Sequence, residues 1–241
     1  MKEIATSRLS SIKVILLTAV CIAGSSACSK GYNRDLLSTN LNREGIQITD
    51  DEIKKIEALR PQLPVKCTVG VYANGSLRFK KILGDALSPI AEKLVKEGVV
   101  KDMPFIDDDR LMNSGTHDSA AIRELAATYG VDAVAIIDSA TEYDQYVNPL
   151  SVFYLTVVGL WIVPGSEVNA LSMLRAQVRD VHNGFLYAVA RGEGEANLVR
   201  PRIYLEKQDA ERKAWEKAAS DLAPDFETRM RNLALQAARQ H

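Results

Sequence analysis

Hydrophobic positions in residues 49–241 change their spacing several times, and each spacing predicts a type of element. Before residue 150, short apolar runs alternate with stretches of helical spacing, which indicates strands and helices in turn. After it, period-two alternation flanks a turn at His182-Asn183-Gly184 and predicts antiparallel strands. Helical spacing returns from Ala210 to Arg239. The order β-α-β-α-β, then a β-meander, then helices predicts an α/β (α+β) fold with a single mixed sheet.

Capping residues and prolines predict where individual elements begin and end. Ser88-Pro89 predicts a helix start, because serine caps helices and proline fits the first turn. Asp118 is expected to cap the next helix. Pro224 is expected to divide the C-terminal helical region into Ala210–Leu222 and Asp225–Arg239. The predicted strands are 65–73, 99–106, 131–140, 152–163, 169–181 and 185–190.

The N-terminus has the pattern of a bacterial export signal. Three basic residues and one acidic residue lie within positions 1–13, and an apolar run of 11 residues, Val14–Gly24, follows. A helix needs roughly 20 apolar residues to span a bilayer, so the run is too short for that. The predicted organisation is a signal peptide at 1–27, a polar tether at 28–48 and one mixed α/β periplasmic domain at 49–241.

Cys28 is the candidate site of lipid attachment. It follows Ser25-Ser26-Ala27, and this segment resembles the lipobox of bacterial lipoproteins, although Ser25 stands where lipoboxes favour leucine. In that family the cysteine sulfur is diacylated and the signal is cut before it, so the resemblance implies membrane lipid as a partner. By resemblance to lipoprotein sorting in enteric bacteria, Ser29 rather than aspartate after the cysteine implies the inner leaflet of the outer membrane, with the protein facing the periplasm. The alternative is ordinary secretion with cleavage after Ala27.

Composition excludes several functional classes. With 30 basic and 31 acidic residues the net charge is −1, which excludes a nucleic-acid-binding function based on overall charge. Three cysteines and three histidines leave little material for a metal centre or a disulfide framework, so no metal and no cofactor are expected. Cys67 lies in an alternating apolar stretch and is predicted to be a buried structural thiol.

Candidate chemical groups occur at two places. His117 and its polar neighbours superficially offer a nucleophile, a base and an acid, but adjacent residues rarely meet in space. We therefore interpret that segment as a polar loop and assign no catalytic residue. Asp138, Glu142 and Asp144 follow or end the buried strand 131–140. The carboxyl ends of parallel strands are where α/β sheets place ligands, so these acids are the candidate ligand or partner site.

The run Val152–Val163 is unusually apolar and rich in β-branched residues. Strands of roughly 9–11 residues can cross an outer membrane, so a hairpin over 152–181 could be one part of an oligomeric pore. A buried central strand of a water-soluble sheet would show the same apolar run. The sequence leaves both interpretations open.

Three segments together resemble the rhombotarget lipoprotein family of bacterial envelopes: 131–145, 151–171 and 178–192. Family members show a similar strand ending in Asp-Gln, which is Asp144-Gln145 here, and a lipidated cysteine. They occur alongside an intramembrane rhomboid-type protease and substrates with Gly-Gly tails, whereas this chain ends without such a motif. The resemblance implies an envelope lipoprotein and supplies no catalytic residues.

A looser similarity of element order exists to periplasmic lipoproteins of the curli-secretion and Tol N-terminal type. Their mixed α/β domains bind other envelope proteins, and the curli protein forms a ring. The similarity implies another envelope protein as partner, or a homo-oligomer. The preferred hypothesis is a lipid-anchored, non-catalytic binding or scaffold domain. A secretion pore using the 152–181 hairpin and an envelope hydrolase are the alternatives.

Replacement of Cys28 tests the lipid anchor. The Cys28→Ser variant loses the sulfur that would carry the lipid, so we expect it to move from the membrane fraction to the soluble fraction. Fractionation of cells that express the variant and the wild type measures this. A variant that stays membrane-bound would contradict lipidation at Cys28.

Overall fold

The computed structural model describes residues 31–42, 54, 57–64, 66–107, 119–156, 161–201 and 207–240. In this part of the chain, the strands form one sheet in the order β2-β1-β3-β4-β5, which confirms the predicted mixed-sheet fold. The elements in chain order are α1 (Arg34–Asn42), β1 (Val69–Ala73), α2 (Leu77–Lys96), β2 (Phe105–Ile106), α3 (Ser119–Thr128), β3 (Ala133–Val147), a 3₁₀-helix (Pro149–Leu155), β4 (Ser166–Asp180), β5 (Leu186–Arg200) and α4 (Lys207–Gln240).

The sheet combines parallel and antiparallel pairs. β1 pairs in parallel with both β2 and β3. Between β3 and β4, Asn148 N–H donates to Gly165 O, and the hydroxyls of Thr141 and Ser172 form a hydrogen bond of 2.8 Å. Residue numbers therefore fall along one strand as they rise along the other, so this pair is antiparallel. Residues 181–185 connect β4 to β5 and are too few for a parallel crossover.

The chain divides into two compact units. The first contains residues 142–170, 196–211 and those up to Tyr32, and the second contains 33–141, 171–195 and 212–241. Within the first unit, Asn197 donates to Asn169 across β5 and β4, and Arg200 pairs with Asp209 at 2.7 Å.

Hydrophobic cores lie on both faces of β3 in the second unit. Residues 133–137 are all buried, as the near-continuous apolar run predicts. Odd-numbered positions such as Ile137 face the larger core, which α2 and α4 cover with Leu83 and Phe226. Even-numbered positions such as Ile136 face a smaller core with Ile122 of α3. The alternation of side chains along a strand produces this division.

Two prolines lie inside helices, where the sequence predicted a helix start at Pro89 and a break at Pro224. α2 begins after its cap Ser76, not at Ser88, and includes Pro89. α4 continues through Pro224 as a single helix. An interior proline costs a helix about 3 kcal/mol, but a buried Leu, Phe or Met side chain recovers about 1.5–3 kcal/mol. Each helix buries several such side chains along one face, namely Phe79, Leu83, Leu87 and Leu94 in α2 and Leu222, Phe226 and Met230 in α4.

The predicted tether contains a helix. α1 lies within the polar stretch 28–48, and Leu37 of this helix is buried. The side chain of Asn33 accepts a hydrogen bond from Leu36 N–H at 3.0 Å and caps the first turn. The sequence did not predict this helix, because its apolar positions are scattered among polar ones. A single buried leucine gives no periodic pattern.

The described part of the apolar run Val152–Val163, in the first unit, does not form the predicted strand, so this prediction is corrected. In its described part, residues through Leu155 form the 3₁₀-helix and β4 begins only at Ser166. Asn148 caps this helix, and Pro149 occupies its first turn, where proline is favourable. The predicted 152–181 hairpin therefore does not exist in this form. The hairpin is instead β4–β5, with its turn at the predicted His182-Asn183-Gly184.

Two glycines let α4 lie directly against the edge strand β5. A Cβ atom at Gly192 would be 2.3 Å from Ala218 O, and one at Gly194 would be 2.3 Å from Ala214 O. Both glycines lie inside β5, where the absent side chains allow close helix packing.

Alanine at Gly194 tests this packing. We expect Gly194→Ala to lower the free energy of unfolding by about 1–3 kcal/mol, because the new methyl group would overlap the α4 backbone. Gly84 is a matched control, since a Cβ there meets nothing within 4 Å. Gly84→Ala lies inside α2 and should raise stability by about 0.5–1 kcal/mol. Urea unfolding measures both, and equal effects of the two variants would contradict the packing argument.

Candidate functional site

A cavity of about 390 Å³ lies in the second unit and is the candidate ligand site. Residues from α1, β4, β5 and α4 line it, so four elements that are distant in sequence build one concave surface. The lining combines apolar side chains with two arginines and two acids, a mixture typical of ligand pockets. The lining residues are Ser38, Leu41, Met173, Leu174, Arg175, Arg191, Gly192, Glu193 and Asp221.

The α1 helix forms one wall of the cavity. Ser38 and Leu41 are three positions apart, so they share a helix face. Leu37 is buried beside them, and Arg34 at the start of the helix forms an ion pair of 2.7 Å with Glu193 of β5. Both partners of this pair are about half exposed, so its stabilising effect is small, but it joins α1 to the strand that forms another wall.

The carboxylates of the two cavity acids already bind other groups of the protein, whereas the guanidinium of one arginine has no ion-pair partner among the described residues. Asp221 Oδ2 accepts the backbone N–H of Glu193 at 3.0 Å, and the Glu193 carboxylate pairs with Arg34. Among the described residues, the guanidinium of Arg191 forms no ion pair. The side chain of Arg191 is exposed at the cavity. The cavity can therefore offer a planar cation with several donors to a carboxylate or another anion.

The predicted site residues Asp138, Glu142 and Asp144 do not line this cavity. They lie within β3, which continues to Val147, and not beyond its end. All three occupy even-numbered positions of the strand and are half-buried. Asp138 belongs to the second unit and accepts a hydrogen bond from Asn74 at 3.2 Å, whereas Glu142 and Asp144 belong to the first. Their role in binding stays a prediction.

Strand register relates Asp138 to the cavity. The pairs Asn148–Gly165 and Thr141–Ser172 fix the alignment of β3 and β4, and the same alignment places Asp138 opposite Arg175. Arg175 lines the cavity, and its strand neighbour Leu174 faces the larger core. The prediction from an acid that follows a buried strand thus identified Asp138 of β3. That residue lies opposite a cavity-lining residue of β4 but does not line the cavity itself.

A buried carboxylate, Asp180, organises the β4–β5 turn. Its Oδ1 accepts the N–H of His182 and of Asn183, and its Oδ2 accepts the hydroxyl of Tyr187 at 2.5 Å. Burial and the hydrogen bond to Asp180 raise the pKa of Tyr187. The imidazole Nδ1 of His182 is 3.6 Å from Asp180 Oδ1. The His182 side chain is exposed, however, and Asp180 Oδ1 already accepts hydrogen bonds from the turn backbone. This cluster is structural and was not predicted.

In the first unit, two tyrosines form hydrogen bonds with glutamate side chains. Burial and then the hydrogen bond to Glu211 raise the pKa of Tyr143. The hydrogen bond to Glu167 is the main cause that raises the pKa of Tyr146. Raised pKa values keep both phenols protonated, so each donates a hydrogen bond to its carboxylate.

Cys67 is buried, as predicted, and Cys28 and His117 lie outside the described residues. Burial, with a smaller contribution from the charge of Asp132, raises the pKa of the Cys67 thiol to about 11. The thiol is therefore unreactive at neutral pH. Within the described ranges, no three His, Cys, Asp or Glu side chains are placed to hold a metal ion. None of the described helices is both long and apolar enough to cross a bilayer.

No family model matches the chain, and no curated protein does. Among solved structures, it is similar to a PelC dodecamer protein from Paraburkholderia phytofirmans, with 15% identity, TM-score 0.30, and coverage of 68% of this chain and 91% of that one. It is also similar to a neuraminyllactose-binding hemagglutinin homolog from Helicobacter pylori, with 9% identity, TM-score 0.38, and coverage of 76% and 95%. A minor lipoprotein from Acinetobacter baumannii gives 10% identity, TM-score 0.30, and coverage of 74% and 92%.

Several of the solved structures that are similar to this chain, including the one from Acinetobacter baumannii, are bacterial lipoproteins. At such TM-scores and identities, the similarity supports no inference about activity, ligand or assembly.

The pKa of Cys67 predicts its reactivity. In a Cys21→Ser, Cys28→Ser variant, Cys67 is the single thiol. We expect its alkylation by iodoacetamide to be slow at pH 9 in the folded protein and fast after unfolding, where the usual pKa of 9.0 applies. Because the folded pKa is raised, the free energy of unfolding is highest below about pH 9 and falls between about pH 9 and 11. Equal alkylation rates before and after unfolding would contradict burial of this thiol.

Proposed function

We propose that this protein is an exported bacterial lipoprotein, held by acylated Cys28 at the inner leaflet of the outer membrane and facing the periplasm. The observation that supports the location is the N-terminal pattern, in which a basic segment, a short apolar run and small residues precede Cys28. The resemblance of segments 131–145, 151–171 and 178–192 to rhombotarget lipoproteins agrees with this location.

We further propose that the folded part is a non-catalytic binding domain for another envelope protein. The cavity supports this function, because it combines apolar lining residues with the guanidinium of Arg191, which forms no ion pair with any described residue. An acidic side chain or a C-terminal carboxylate of the partner fits such a surface, since arginine binds carboxylates with two parallel hydrogen bonds. The carboxylates of Asp221 and Glu193 already bind groups within the protein. A ligand would therefore have to place its anion near Arg191.

The two alternative functions have less support. A pore built on the 152–181 hairpin required a strand where the described residues form a 3₁₀-helix, so that hypothesis is abandoned. A hydrolase requires a nucleophile, a base and an orienting group in contact. His182, the one histidine among the described residues, lies near Asp180, but the carboxylate of that aspartate already accepts hydrogen bonds from the turn and from Tyr187.

Charge reversal in the cavity tests the binding function. The protein is extracted from membranes in mild detergent, its native mass is measured and chains that co-purify are identified. We expect a stoichiometric second envelope protein with the wild type and its loss with Arg191→Glu, because the partner's anion would then meet a like charge. Lys81→Glu is the matched control, since Lys81 is exposed on α2 outside the cavity lining.

Each result bears on the proposal. Retention of the partner by Lys81→Glu, together with its loss from Arg191→Glu, would support binding at the cavity. Equal retention by both variants would show that the partner binds elsewhere. A wild-type protein that is monomeric and carries no second chain would contradict the binding function.

A further inference from the structure

The connection between β3 and β4 exposes large apolar side chains to solvent. We name its described residues, 148–156 and 161–165, the apolar loop; they belong to the first unit. Leu155 is 89% exposed and Ile162 is 69% exposed, which is unusual for residues of this type. The exposed large apolar residues of the loop are Leu150, Phe153, Leu155, Trp161 and Ile162.

The apolar loop also lacks charge. No Asp, Glu, Lys or Arg occurs between Asp144 and Glu167, although such residues make up 25% of the chain. Connections in proteins that face only water are normally polar, and a contiguous exposed apolar patch marks a surface that contacts something else. A protein-binding patch usually includes charged or polar residues at its rim that determine specificity, and this segment has no charged residue.

Hydrogen bonds inside the loop hold the apolar side chains outward. Asn148 accepts from Leu150 N–H at 3.0 Å and donates to Pro164 O at 2.9 Å. The hydroxyl of Tyr154 accepts from Gly165 N–H at 2.9 Å and contacts Val163 O at 3.2 Å. The polar groups in these bonds thus satisfy one another inside the loop, which is the arrangement required where water is absent.

The lipid anchor brings a bilayer within reach of this unit. Tyr32 belongs to the same unit as the apolar loop and is four residues after Cys28. Four extended residues span at most about 14 Å. A protein acylated at Cys28 therefore keeps Tyr32, and the compact unit that contains it, next to the membrane surface.

We propose that the apolar loop inserts into the interfacial region of the bilayer that holds the lipid anchor, with Trp161 at the level of the headgroups. Tryptophan and tyrosine prefer that region, because each combines an apolar ring with a polar tip. Insertion would supply a second point of attachment, so that acyl chains and loop together orient the protein. This inference rests on the proposed lipid anchor.

Tryptophan fluorescence tests the insertion. The chain has two tryptophans, of which Trp161 is in the loop and Trp215 is buried in the larger core. Full-length acylated protein is reconstituted into phosphatidylcholine vesicles with brominated or ordinary acyl chains, since bromine quenches tryptophan only at contact distance. We expect bromine to remove the Trp161 part of the wild-type emission. Trp161→Phe retains Trp215 alone, and its emission should be equal in both vesicles.

Failure of the insertion and failure of the anchor give different results. Wild-type protein that floats with the vesicles but shows equal emission in both lipids would overturn the insertion. Quenching by aqueous iodide would then indicate a loop in water, and protection from iodide would indicate a loop covered by protein. Protein that does not float with the vesicles would contradict the lipid anchor, and the insertion with it.

Discussion

Most of the second unit depends on the direct contact between α4 and the edge strand β5. Arg191 N–H donates to Asp225 at 3.1 Å, Glu193 N–H donates to Asp221 at 3.0 Å, and Lys217 donates to Glu195 O at 2.8 Å. Successive contacts are thus four residues apart along α4 and two residues apart along β5. The spacings agree because four helix residues rise about 6 Å and two strand residues about 6.6 Å. The glycines of β5 make this approach sterically possible.

The same helix completes the core on the other side. Trp215 packs on Phe79 of α2 with ring centroids 5.2 Å apart and donates to Thr141 of β3. Further along α4, Glu227 pairs with Lys93 and Arg231 pairs with Glu97, so two ion pairs join the surfaces of α2 and α4. Because α4 satisfies part of the β5 edge, that part cannot pair with a strand of another chain. Asp221 serves both this edge and the cavity, so the fold and the candidate site share one carboxylate.

The sequence predicted what depends on local periodicity and failed where tertiary contacts decide. The run at 131–140 identified a strand covered on both faces, and the turn at 182–184 located the β4–β5 hairpin. Pro89 gave a false helix start and Pro224 a false helix break, because burial of a continuous apolar face outweighs one missing hydrogen bond. The cavity was unpredictable from spacing, since four separate elements contribute to it.

With the proposed lipid anchor at Cys28, helix α1 determines how far the protein could act from the membrane. A tether of residues 29–48 would give twenty residues of slack, whereas only five, 29–33, separate Cys28 from the start of α1. Maximum reach scales with the number of extended residues, so it falls to about a quarter, roughly 18 Å. The volume that the anchored helix can explore shrinks far more, with the cube of that length. A partner fixed to the peptidoglycan layer would have to extend toward the membrane, while a partner diffusing in the same leaflet would meet this protein at high local concentration.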